Sequence, residues 1–121
     1  MDDDENWLLI VQSYLEVFNL DVITANSGRS AIEMMRKEPP DLVVLDLMMP
    51  DVDGYQVLKE MRSNPYLQNI SVIIITAKDI TLEDKQLGLP LLPKGDHFEE
   101  AFENMILQTI RNSKLDSDQV Q

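Results

Sequence analysis

The chain has 121 residues, enough for one core and too few for two domains, and its 44% apolar content suits a globular protein rather than a disordered one. Its 22 acidic residues against 10 basic give a net charge of −12, which argues against direct binding to nucleic acid or an anionic membrane and suits a cationic partner or a divalent metal. It has no cysteine, so it carries neither a disulfide framework nor a thiolate metal site and fits a reducing cytoplasm. No apolar run approaches the roughly 18–20 residues of a membrane span, and nothing resembles a signal peptide.

The chain opens on an acidic run, Asp2-Asp3-Asp4-Glu5. Leu8, Val11, Leu15 and Phe18 then recur at helical spacing, which predicts a helix from about Asn6 to Phe18 with acids at its positive end. Asp21 to Ala25 is short and β-branched, the pattern of a strand. Ser27 is placed to cap a helix reaching about Lys37, with Ala31, Met34 and Met35 facing inward and Pro39-Pro40 ending it. Asp41 to Asp46 is an apolar run closing on a carboxylate and reads as a strand buried on both faces. A turn over Pro50 to Gly54 leads into a helix marked by Tyr55, Leu58 and Met61.

Ser71 to Ala77 is a second apolar strand. Thr81 and Asp84 form a capping-box pattern for a short helix that Gly88 stops. Leu89 to Pro93 is confined to a sheet edge by its two prolines. Asp96 and Glu99 form another capping-box pattern, before a helix with a stripe of Phe98, Ala101, Phe102, Met105, Ile106 and Ile110. A single folded domain over 1–112 and a flexible tail over 113–121 are expected. Strands alternating with helices imply a parallel sheet with helices on both faces, so the ends of the strands share one edge. Asp46 ends a strand there, Thr76 and Lys94 follow the two later strands, and the acidic run precedes the first helix. Carboxylates without cysteine or a pairing histidine favour a hard cation, Mg²⁺ above all.

DDDEN, DLVVLDLMMPDVDGYQVLKEMR, IIITA and LPKG together resemble the receiver domain of two-component response regulators, over roughly Asp2 to Arg111. The resemblance implies a flavodoxin-like α/β/α sandwich. It implies Asp46 as phosphoacceptor, Thr76 as switch hydroxyl and Lys94 as phosphate contact. Asp2, Asp3, Asp46 and the backbone carbonyl of Met48 would hold Mg²⁺, with Asp3 the direct ligand of the acid pair. It further implies a histidine kinase or phosphotransfer protein as phosphoryl source and a downstream protein partner, with no enzymatic activity beyond phosphorylation of the aspartate itself. A phosphatase reading, with an aspartyl-phosphate intermediate, expects a second aspartate two residues after the nucleophile, where this chain has Met48. A third reading is a degenerate receiver serving as a dimerisation or docking unit. Each residue also has a plainer reading: Asp46 as a turn former, Asp2 and Asp3 as helix-dipole partners, Thr76 as a strand residue, Lys94 as a surface lysine and Trp7 as a packing residue.

Three departures from the family accompany the match. The apolar strand that normally precedes the acid pair is reduced to Met1. Buried backbone groups left unpaired cost roughly 1–3 kcal/mol apiece against a total stability of about 5–15 kcal/mol, so the gap needs an answer. The chain is truncated, or the Asp21–Ala25 strand closes directly on the central strand, or a homodimer supplies the pairing, and the dimer is the expectation. Only 18 positions separate Thr76 from Lys94, which shortens the fourth helix, and Leu91 and Gly95 stand where receivers often carry an aromatic residue and a proline.

Overall fold

A computed structural model describes residues 1–48, 53–95 and 97–111. Its elements are α1 (Glu5–Val17), α2 (Gly28–Lys37), β1 (Leu42–Asp46), α3 (Gly54–Ser63), β2 (Ser71–Thr76), α4 (Leu82–Lys85), β3 (Leu91–Pro93) and α5 (Phe98–Arg111). The three strands form a parallel sheet in the order β1-β2-β3, with Asp46 beside Ile75 and Thr76 beside Pro93.

The apolar runs of β1 and β2 follow from burial on both faces. Val43, Leu45, Val72 and Ile74 point into one core with Met35 of α2 and Val57, Leu58 and Met61 of α3. The alternate residues Val44, Ile73 and Ile75 point into the other, with Val11 and Leu15 of α1 and Phe98, Phe102 and Ile106 of α5. The result is a sheet between two helical layers, the flavodoxin-like α/β/α arrangement. Caps set the helix starts: the side chains of Asp4, Ser27, Asp53 and Thr81 accept from Asn6, Ser30, Gln56 and Asp84 N–H groups. Gly88, at φ +71°, ends the turn after α4, as its position predicts. The residues at 49–52, Asp96 and 112–121 lie outside the described residues, so the early part of the Pro50–Gly54 turn, the Asp96–Glu99 capping box and the tail do as well.

Two expectations are corrected. Met34 is 36% exposed while Ala31 and Met35 are buried, because the inward stripe of α2 is narrower than its run of apolar residues. The Asp21–Ala25 strand is not formed, and its closure on the central strand is not formed either. A strand needs a neighbour about 4.8 Å away to build a ladder, and among the described residues it is Met1 and Asp2 that hydrogen-bond between β1 and Ala25. The Met1 ammonium donates to Val44 O at 2.7 Å and Asp46 N–H donates to Met1 O at 3.0 Å. Asp2 N–H donates the other way, to Ala25 O at 3.1 Å. Met1 and Asp2 thus bridge β1 and Ala25 through three backbone hydrogen bonds, and beyond them a cleft of about 510 Å³ lies between β1 and Val22–Ala25.

Candidate functional site

The sheet register brings the acidic N-terminus and the ends of the strands together. Met1 and Asp2, held between β1 and Ala25, put the Asp2 side chain next to the end of β1, where it is 2% exposed. Asp2, Asp3 and Asp46 each offer a carboxylate oxygen, and these oxygens lie within 4.8 Å of one another, with Asp3 the exposed member. Asp2 Oδ1 accepts from Asp4 N–H at 3.0 Å, which turns the chain into α1. Asp2 Oδ2 is buried and accepts no hydrogen bond. Lys94 Nζ lies 2.6 Å from it, an ion pair off the hydrogen-bonding direction. A buried carboxylate oxygen without a hydrogen bond, beside two further carboxylates, is a donor set that fits a hard divalent cation.

Lys94 follows β3 directly, and its N–H donates to Thr76 O at 2.7 Å, so β2 fixes where its side chain starts. Its ammonium donates to Asp46 Oδ2 at 3.2 Å and stands 5.0 Å over the Trp7 ring. Asp46 Oδ1 accepts from Met48 N–H at 3.1 Å, an aspartate turn that orients the carboxylate after the strand. Burial pushes Asp46 above the usual carboxylate range and Asp2 beside it pushes the same way, while Met48 N–H and the Lys94 ammonium oppose them. Burial also pulls the Met1 ammonium down to about 6.

Thr76 is completely buried, one position beyond the residue that pairs with Asp46, and its hydroxyl accepts from Lys78 N–H at 3.1 Å. A second group, around Asp84, has only its capping box as a sequence signal. Asp84, buried at the start of α4, accepts from Tyr55 OH at 2.6 Å, from Lys78 Nζ at 2.5 Å and from Thr81 N–H at 2.9 Å. Lys78, then Thr81 and Tyr55, hold its carboxyl well below the usual carboxylate range. The capping-box pattern announced the Thr81 contact alone; Tyr55 and Lys78 reach Asp84 from other elements.

Gly54 closes the site from below. Its N–H donates to Leu47 O at 3.1 Å, and a Cβ there would lie 2.5 Å from Asp46 O. Only a residue without Cβ lets α3 start this close to the end of β1.

The family model "Response regulator receiver domain" matches residues 1–89, nearly three quarters of the chain. The chain belongs to the response regulator receiver family. The alkaline phosphatase synthesis transcriptional regulatory protein PhoP of Bacillus subtilis is 41% identical over 91 residues, 75% of this chain and 37% of that protein. A probable transcriptional regulator from Galdieria sulphuraria is 42% identical over 91 residues, 74% of this chain and 34% of that protein. This receiver therefore spans about a third of the length of these curated relatives. Among solved structures, the signal receiver domain of a putative LuxO repressor protein from Vibrio parahaemolyticus superposes with TM-score 0.82 at 26% identity, over 99% of this chain and 92% of that one. The N-terminal domain of a receiver protein from Methanoculleus marisnigri gives 0.71 at 30% identity, over 86% of this chain and 88% of that one. Among the described residues of this receiver, no helix is long and apolar enough to cross a membrane.

Proposed function

We propose that this receiver accepts a phosphoryl group on Asp46 from a phosphohistidine of a histidine kinase or phosphotransfer protein, in the cytoplasm, and signals through protein contacts. The observation that carries the reading is the convergence of Asp2, Asp3 and Lys94 on the Asp46 carboxylate. An Asp46 carboxylate oxygen attacks the phosphorus. The P–N bond to the histidine breaks with its electron pair left on that nitrogen, and because the other ring nitrogen already carries a proton, the imidazole leaves as the neutral ring. Burial raises the basicity of the Asp46 carboxylate, and so its strength as a nucleophile. The carboxylates of Asp2, Asp3 and Asp46 and the carbonyl of Met48 would hold Mg²⁺, which supplies positive charge against the phosphoryl oxygens when bound. Lys94 donates to one of those oxygens, and the Thr76 hydroxyl to another.

The output follows from what Thr76 touches. Drawing its hydroxyl toward a phosphoryl group removes the acceptor of Lys78 N–H, and Lys78 is one of the donors holding Asp84 in α4. Leu82, 73% exposed on that helix, lies on the surface a downstream protein would read.

Incubating the chain with Mg²⁺ and acetyl phosphate tests the reading. The expected result is one added phosphoryl mass on the wild type and none on Asp46→Asn. A wild type that gains no mass contradicts it.

A further inference from the structure

We propose that Trp7 is a positioning residue for Lys94, its indole face holding the ammonium beside Asp46. The inference rests on the phosphoacceptor reading of Asp46 and adds to it a residue on α1. Trp7 lies in the first turn of α1, so the element that follows Asp2 and Asp3 also delivers the ring. Lys94 Nζ sits 5.0 Å over the ring centroid, within the range of an attraction between a cation and the negative face of an aromatic ring. The ring is held by a second aromatic contact. Phe98 meets Trp7 edge to face at 4.8 Å and itself stacks on the fully buried Phe102 at 5.2 Å.

A fixed neutral partner matters because the charged partners of Lys94 compete. The ammonium is closer to Asp2, at 2.6 Å, than to Asp46, at 3.2 Å. Any cation shared by the carboxylates weakens the hold of Asp2 and repels the ammonium. Left to itself, a lysine stem samples many rotamers, and fixing it costs entropy. The Trp7 face does not titrate and is not a metal ligand, so it keeps the ammonium within reach of the group on Asp46 through that exchange.

Two measurements test this. In metal-free protein, NMR should show the Lys94 ε-methylene protons shifted upfield by the ring current of Trp7, and the shift should vanish in Trp7→Leu. Replacing Trp7 with mono-, di- and trifluorotryptophan then drains the negative ring face at nearly constant shape. Phosphoryl uptake from acetyl phosphate should slow step by step, by roughly three- to tenfold at three fluorines, while the thermal midpoint holds. An absent ring-current shift overturns the proposal. So does a rate that stays flat across the fluorine series, even if Trp7→Leu is slow, because Trp7 would then act by packing on Phe98. A wild type that takes up no phosphoryl group overturns the acceptor reading and this role together, whereas normal uptake with a flat series overturns the role alone.

Discussion

Replacing Gly54 with alanine tests the geometry that sets Asp46 in place. At the first residue of an exposed helix such a change ordinarily stabilises a protein by about 0.4–1 kcal/mol, through loss of freedom in the unfolded chain. Here the new Cβ would lie 2.5 Å from Asp46 O and 2.6 Å from Leu47 Cα, both backbone atoms, where ordinary contact begins at 3.4 Å. The start of α3 must therefore retreat from the end of β1 by about 0.9 Å, at an overpacking cost of roughly 1–3 kcal/mol. The net loss is about 1–2 kcal/mol, a fall in thermal midpoint of roughly 4–8 °C for a domain of this size. A displacement near 1 Å at a reacting group slows chemistry by roughly ten- to a hundredfold, so phosphoryl uptake by Gly54→Ala should fall by at least about tenfold. Calorimetry and intact-mass kinetics read the two effects. Gly95→Ala is the control, since nothing lies within 4 Å of a Cβ there. A midpoint for Gly54→Ala equal to or above that of the wild type would refute the close approach.

Trp7 is the single tryptophan and stands over Lys94, so Mg²⁺ should change its fluorescence saturably and Asp46→Asn should weaken the response; a flat titration contradicts the metal site. Asp84→Asn should lower the thermal midpoint near pH 7, because it removes the carboxylate that Lys78 and Tyr55 share. Asp84 is depressed in the folded state, so its contribution is complete above about pH 4, the unfolded value, and is lost as pH falls through the lower folded value. The gap between wild type and variant should hold from pH 7 to about pH 4 and narrow only below that; narrowing between pH 7 and 5 contradicts the depressed carboxyl. Adding four apolar residues ahead of Met1 should fill the cleft beside β1. Burial and ladder hydrogen bonds outweigh chain ordering there by roughly 2 kcal/mol, and an unchanged midpoint contradicts this. Sedimentation of both proteins tests pairing of two copies along that edge: association lost on extension is expected, and a monomer before and after contradicts it.

What the sequence showed and what it hid divide along the range of the interactions. β1 and β2 were legible because burial on both faces writes a continuous apolar run. β3 was legible as an edge because Pro93 within it and Pro90 just before it cannot serve two neighbours. Ser27 and the Thr81–Asp84 box marked their helices through contacts three residues apart. Asp53 and Gln56 form a capping box of the same kind, masked in the sequence by the turn signals around it. Asp21–Ala25 carries a strand's residues, but strand formation depends on a neighbour, and a local pattern cannot report that the neighbour is two residues long. In the candidate site, motif and strand order pointed to the meeting of Asp46, Lys94 and the acid pair that the structure shows. Their grouping with Trp7, and the convergence of Tyr55 and Lys78 on Asp84, join residues from separate elements and leave no periodic trace.

The most direct test of the account is to locate the phosphoryl group. The wild type would be exposed to Mg²⁺ and acetyl phosphate, then treated with borohydride, which reduces an acyl phosphate to the alcohol and so turns a phosphorylated aspartate into homoserine. Peptide mapping should find that conversion at Asp46 and at no other carboxylate. Conversion at Asp2 or Asp3 instead, or none anywhere in a folded protein, would contradict Asp46 as the acceptor.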